Sequence, residues 1–341
     1  YSCTGLAEIK VDAKNKYYRE VDGLLLELRR RRKGDEEDFN VLGGMRPGVY
    51  EEEDGAEDSP VWGDMTSGMY EEDLYVLSGM TPRTYGDCES YEEYYVLHSC
   101  PPGKTGTLAI PEGIRGICDN AFSGCTGLTH ITIPEDLEIG QAASCGYTGL
   151  TRLTIPESVL EIGNAVFSGC KSLIRVVLPD SIRKIGSSAF SGCKSLTHIK
   201  IPGNNTYISP FAFKGCTGLT GVVLPKGLIE ICEGAFSGCT SLSDMIFPEK
   251  VAQIGKGAFK GCMSLSGVVI PEGITKIGSE AFSGCTGLTG VVLPESVTEI
   301  GEGAFQGCTG LSSVVIPEGV TKIGEGAFQS CTSLEEIQVA S

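Results

Sequence analysis

The residue types best suited to chemistry in this chain are its 15 cysteines, its three histidines and a dense set of carboxylates. So many cysteines ordinarily announce a disulfide framework or a metal site. No Cys-x-x-Cys pair and no Cys/His cluster has zinc spacing. Cys88 and Cys100 could pair with each other. His98, His130 and His198 have no Ser or Cys partner at recognisable spacing, so no nucleophile–base triad can be assembled. Residues 101–107 contain Gly-Lys-Thr, but the leading Gly that a phosphate-binding loop needs upstream of it is missing. Carboxylates crowd at Glu51–Asp54 and Glu71–Asp73, yet nothing orients one as an acid and its neighbour as a base. They read first as solvated charge. Two sharper readings are loose Ca²⁺ coordination through oxygen and sulfation of Tyr50, Tyr70 or Tyr91, each of which precedes acids. Asn204-Asn205-Thr206 is an acceptor sequence for N-glycosylation. No catalytic, cofactor or metal constellation emerges, and the expectation is a protein that is not an enzyme.

The cysteine spacing says what positions these residues. Cys170, Cys193, Cys216, Cys239, Cys262, Cys285, Cys308 and Cys331 recur every 23 residues, which is a repeat period. Units of 23 residues start at Ile110, Ile155, Leu178, Ile201, Leu224, Phe247, Ile270, Leu293 and Ile316, and one of 22 starts at Ile133. Together the ten fill residues 110–338 without a gap. Within a unit, Leu311, Val314 and Ile316 alternate as on a strand with one buried face. Pro317 lacks an N–H and ends the ladder. Val320 and Ile323 begin a second inward stretch, Gly324 suits a bend with positive φ, and Ala327, Phe328 and Cys331 point inward from a tight turn or 3₁₀ segment. One strand and one short return in 23 residues make a solenoid coil. Stacking at about 4.8 Å per rung sets like residues above like. The expected ladders include Phe122, Phe167, Phe190, Phe213, Phe236, Phe259, Phe282, Phe305 and Phe328, and a column of small buried thiols. In the unit at 133–154, Ser144 falls where Phe belongs and Tyr147 where Cys belongs, so a local distortion is expected there.

The motif LxxIxIPxxVxxIGxxAFxxC, seen as LTGVVLPESVTEIGEGAFQGC at 288–308, resembles the BspA-like leucine-rich repeat family over about 110–341. Residues 3–25 resemble a variant unit that has lost its Pro. The resemblance implies a curved leucine-rich-repeat solenoid on secreted or cell-surface proteins of bacteria and some protists. It implies adhesion and protein binding rather than catalysis. The expected fold class is therefore a β-rich leucine-rich-repeat solenoid, one parallel strand plus a short 3₁₀ or turn segment per coil.

The expected organisation is a partial N-terminal coil at 1–26, an acidic insertion at 27–98 containing Tyr, Met and Gly, and the solenoid at 99–341. Leu26 and Tyr95–Leu97 look like two halves of one coil pushed apart. From Asp35 to Glu93 there are 18 acids and 2 bases, so this segment carries almost all of the chain's net charge of −17. Its composition reads as disordered. So acidic a chain is poorly suited to nucleic acid, which needs clustered Lys and Arg. No apolar run approaches the ~20 residues of a bilayer span. The chain begins at Tyr1 rather than Met, so the lack of a signal peptide says nothing of secretion.

The outward side of the strands carries two columns. One reads Thr132, Thr154, Val177, Lys200, Val223, Ile246, Val269, Val292, Val315, and its later part is an exposed apolar stripe of the kind that marks a contact surface. Strand propensity alone also favours such β-branched residues. The other begins His130, Arg152, Arg175, His198 and, with Lys200, forms a positive patch expected to hold the acidic insertion of the same chain or a neighbour. Neither end shows a polar cap, and residues 329–341 match residues 1–13 at seven positions. The first expectation is thus a subunit of an extracellular filament or surface fibre, joined to itself head to tail. The alternative is a cell-surface adhesin or protein-binding ectodomain that meets other surface or matrix proteins through the sheet face or the insertion. Both place the chain outside the cell or on its surface.

Overall fold

The computed structural model describes residues 18–21, 24–32, 91–101, 104–111, 114–117, 121–122, 125, 127–133 and 149–340. The chain divides into two compact units, residues 1–30 with 93–341, and residues 31–92. Of the second unit only the strand ends at 31–32 and 91–92 are described. Tyr50, Tyr70, Cys88 and the carboxylate clusters therefore lie outside the described residues, as does the stretch of the 133–154 unit that carries Ser144 and Tyr147.

Strands β1 (Tyr18–Val21) and β2 (Leu24–Arg32) form an antiparallel hairpin with Val21 opposite Leu24. β2 neighbours β3 (Tyr91–Ser99), which pairs in parallel with β5 (Ile114–Ile117), after β4 (Thr105–Ala109). Leu24, Leu26, Val96 and Leu97 are buried. The two stretches expected to be halves of one coil are thus neighbouring strands, the first within a hairpin. From β4 onward the chain winds regularly. A six-stranded parallel sheet runs from β4 through Gly127–Thr132, Arg152–Thr154, Arg175–Val177 and His198–Lys200 to Gly221–Val223. A four-stranded one continues from Gly267–Val269 to Glu336–Val339. Each coil from Glu161 onward adds a two-residue second strand, and six of these pair in parallel from Tyr207–Ile208 to Lys322–Ile323. The 23-residue register is direct: His198 stands beside Gly221, and Lys276 beside Glu299.

Tight turns close each coil. Ser168 N–H donates to Ala165 O at 3.1 Å and Cys170 N–H to Phe167 O at 3.2 Å. The turns also bond from coil to coil, since Phe167 N–H donates to Ala189 O at 2.8 Å and Gly169 N–H to Ser191 O at 2.7 Å. The backbone is therefore satisfied by neighbouring coils on the return side as well as on the strand side. Inside, Phe167 to Phe328 stack with centroids 5.4–5.7 Å apart and planes within 18°. Each ladder thiol from Cys193 to Cys331 donates to the Phe carbonyl 26 residues earlier, at 3.1–3.3 Å. Burial pushes the Cys216 and Cys308 thiols up to about 12, and those of Cys239 and Cys262 well above the ordinary value. These are packed, protonated donors.

One expectation about the turn is corrected. Gly324 is not in the left-handed region; positive φ falls two residues later, at Gly326 (63°), Gly303 (58°), Gly257 (58°) and Gly234 (58°), and at the Gly before each ladder Cys from Cys170 to Cys308, such as Gly261 (74°). A Cβ at Gly324 would lie 2.3 Å from the Glu302 nitrogen, so close approach of coils is what its bare backbone serves. The last coil also differs from the expected inward pattern. Val320, Phe328 and Cys331 are half-buried and Ile323 is exposed, whereas Val297, Ile300, Phe305 and Cys308 one coil earlier are fully buried. That coil has a neighbour on one side only in this structure.

Candidate interaction face

The strand sequence fixes the outward face, because alternate residues point to opposite sides. Val176, Ile199, Val268, Val291 and Val314 are buried. Their neighbours in sequence point out: Val177, Val223, Ile246, Val269, Val292 and Val315 are 43%, 62%, 85%, 67%, 60% and 50% exposed. Thr132, Thr154 and Lys200 are exposed in the same column. Register places Val177 beside Thr154, Val223 beside Lys200, and Val292 beside Val269.

The second column is equally direct. His130 pairs in register with Arg152, Arg152 with Arg175, Arg175 with His198, and His198 with Gly221. Arg152, Arg175 and His198 are exposed and His130 is half-buried. His130 Nδ1 lies 3.0 Å from Thr129 Oγ1, and His198 Nε2 lies 3.3 Å from Thr220 Oγ1. Lys200 is paired with Asp180 at 3.2 Å. Neither Arg152 nor Arg175 meets an acid among the described residues. Among the described residues, two like charges therefore stand side by side without an acid between them, an arrangement that costs stability. Further along, Gly267, Gly290 and Ser313 keep this column flat.

The columns meet where the long-strand sheet breaks. Between Val223 and Gly267 the coil reads Asp244-Met245-Ile246-Phe247 and keeps only a single bridge, Gly221 to Asp244. Met245 replaces the branched inward residue, and Phe247 stands edge-on to Phe259 at 5.6 Å. An open groove of about 1030 Å³ lies over this break and reaches back to the cationic column. Arg175, His198, Lys200, Val223, Ile246 and Lys226 line it, with Asp244 the acid among the lining groups. Sequence reasoning found both columns but not the groove. The departure of Asp244–Phe247 from the repeat was the signal that could have located it.

The sequon also acquires a geometry. Asn204 is exposed, and its Nδ2 donates to Asp180 O at 2.8 Å. Asn205 takes the place of an inward aliphatic residue; buried, it donates to Ile182 O at 3.0 Å and Pro202 O at 3.2 Å. The two-residue strands are unpaired between Ile185 and Tyr207, the coil where Asn205 intrudes. Tyr91 begins β3. Among the described residues no group of three His, Cys, Asp or Glu could hold a metal ion, and no helix is long and apolar enough to cross a membrane.

Coil, ladder and outward columns together define a leucine-rich-repeat solenoid. The sequence profile described as the BspA type leucine rich repeat region matches residues 98–220, 138–266 and 252–341, and the chain belongs to that family. A search of curated proteins found no match. Among solved structures, a leucine-rich repeat protein from Eubacterium ventriosum is 21% identical, covering 69% of this chain and 68% of its own, with a TM-score of 0.52. A leucine rich cell surface protein from Faecalibacterium prausnitzii is 24% identical over 77% of this chain and 96% of its own, with a TM-score of 0.49. A leucine-rich repeat protein from Bacteroides ovatus is 25% identical over 77% and 94%, with a TM-score of 0.48.

Proposed function

We propose that this chain is a non-enzymatic, extracellular or cell-surface protein-binding module, whose outward strand face is the binding site. The observation that supports the reading is the stripe of large aliphatic residues standing 43–85% exposed from Val177 to Val315. Exposed apolar columns of this length mark contact surfaces. The unrelieved Arg152–Arg175 pair selects the partner: a protein segment with an aliphatic ridge and acidic residues beside it. The apolar column supplies affinity by desolvation, and the cations set orientation. The acidic 27–98 segment has this charge, but its centre lies outside the described residues. The test is fluorescence anisotropy with a labelled synthetic peptide of alternating Glu and Ile. Saturable binding should weaken about tenfold or more in Ile246→Glu, which alters an exposed position and leaves the core intact. Absence of binding, or equal binding by the variant, sinks the reading.

End-to-end assembly into a filament is the second reading. The outer side of the last coil is apolar: Ile323, Ile337 and Val339 are 49%, 47% and 71% exposed there, while their counterparts Ile300, Val314 and Ile316 are at most 2% exposed. Another copy or further repeats of a longer chain would cover that side equally well. Electron microscopy of the purified chain separates the cases: regular fibres support self-assembly, and single particles at high concentration refute it.

A further inference from the structure

Cys100 and Cys125 depart from the cysteine column that follows them. From Cys193 onward each thiol hydrogen is taken by the Phe carbonyl 26 residues earlier. Cys125 cannot follow that pattern, because 26 residues before it the chain reads Ser99 and then Cys100-Pro101. Its sulfur instead points at Cys100 O and Pro101 O, both at 3.4 Å. The Cys100 sulfur lies 3.8 Å from that same Pro101 carbonyl. Both sulfurs thus converge on one acceptor, the Pro101 carbonyl. Cys100 N–H donates to Ala121 O at 2.7 Å, which clamps the two coils together at this point.

We propose that Cys100 and Cys125 form a disulfide that staples their two coils, while the thiols from Cys193 to Cys331 stay reduced. The co-reactant is a low-molecular-weight disulfide. Cys100 is the attacking sulfur: the Cys125 S–H and the Lys104 ammonium both favour its thiolate, whereas Cys125 is held protonated. The Cys100 thiolate attacks one sulfur of the reagent, forms a mixed disulfide and expels one small thiolate. Cys125 gives up its proton to solvent, attacks the Cys100 sulfur and expels the second. The two protein thiols lose two hydrogens, and one small disulfide becomes two small thiols. The ladder thiols differ in geometry: each hydrogen goes to its own Phe carbonyl, and no two of those sulfurs share an acceptor.

The experiment incubates the folded chain with oxidised glutathione, blocks remaining thiols under denaturing conditions, and digests with trypsin and a glutamate-specific protease. Expected is a peptide pair, 94–104 joined to 116–135, lighter by two hydrogens than the sum of its parts and resolved by reduction. Fragmentation places the bond on Cys125 rather than Cys118. Every ladder cysteine carries the blocking group. Cys125→Ser should abolish the linked pair; should that variant misfold, the wild-type fragmentation alone decides. Both thiols blocked, Cys100 joined to Cys88 or Cys118, or oxidised ladder thiols would each overturn the proposal. None of these outcomes bears on peptide binding at the strand face.

Discussion

The thiol column makes the solenoid sensitive to alkali, and the size of the effect can be worked out. Cys193, Cys216, Cys239, Cys262 and Cys285 have no exposed surface. Burial raises all five above the ordinary thiol value of 9.0, to about 12 for Cys216. In the unfolded chain each ionises near the ordinary value. Between that value and the folded one, the unfolded state holds fewer protons than the native state, so stability falls as pH rises. The contribution is fully present below the ordinary value. One pH unit above it, each such thiol has withdrawn about 1.4 kcal/mol, or roughly 7 kcal/mol for the five. A typical domain holds about 5–15 kcal/mol in all. Urea unfolding followed by circular dichroism, in reducing buffer from about pH 8 to about pH 10, should show this decline. Exposed tyrosines also ionise there, so the control is the triple variant Cys216→Ala, Cys239→Ala, Cys262→Ala. It begins less stable, but its loss over the same range should shrink by roughly 4 kcal/mol. A flat profile in the parent chain, or the same slope in the variant, refutes the assignment of these thiols as buried, protonated donors.

Other perturbations probe the remaining ladders. Phe259→Ala removes a buried ring stacked on both sides and should cost about 3–5 kcal/mol, whereas Phe328→Ala, half-buried with one stacked neighbour, should cost less than half as much; equal urea midpoints would refute stacking as the source. Gly261→Ala should cost about 1 kcal/mol through its φ of 74° alone, and Ala165→Gly, at φ 53°, should gain up to about as much, both read from thermal melts. Arg175→Glu should relieve repulsion from Arg152, raising stability by about 0.5 kcal/mol, while weakening the acidic Glu/Ile peptide. A variant that loses both stability and binding would show the pair to be structural.

Much of the interior was legible because period 23 is itself a statement about stacking. Once Leu311, Val314 and Ile316 share a face, every counterpart shares it too, and the buried set follows. The positive φ was misplaced at Gly324 because glycine serves two needs here. Spacing cannot tell a residue that turns left-handed from one that lets backbones touch. Ser209 and Cys232 take the Gly324 position in their own coils without positive φ, which is the sequence clue to the second need. By motif alone Asn205 is the middle of a sequon. Its place in the repeat, where Val159 and Ile182 stand in earlier coils, marks it as an inward amide that must find a carbonyl. The geometry of Cys100 was hidden for another reason. Its spacing of 25 from Cys125 is off the period, and a register shift is a property of the backbone path.

In a solenoid every coil meets nearly the same neighbours, so packing asks the same question of each unit and receives the same answer. Inward residues consequently carry little information about what a particular chain does. Outward residues are free of that demand, and a costly or unusual one there calls for another cause. Two departures on this chain reach the same groove, one through Arg175 and the other through Asp244 and Ile246. Arg152 and Arg175 keep like charges adjacent although Thr, Ser or Gly serves elsewhere on the outer side. Asp244–Phe247 gives up the long-strand pairing that coils on either side retain, and in doing so leaves Ile246 the most exposed large aliphatic residue described. Neither departure stabilises its own coil. Their coincidence on one face, over one groove, is why recognition is assigned there and why changing Ile246 tests it most directly.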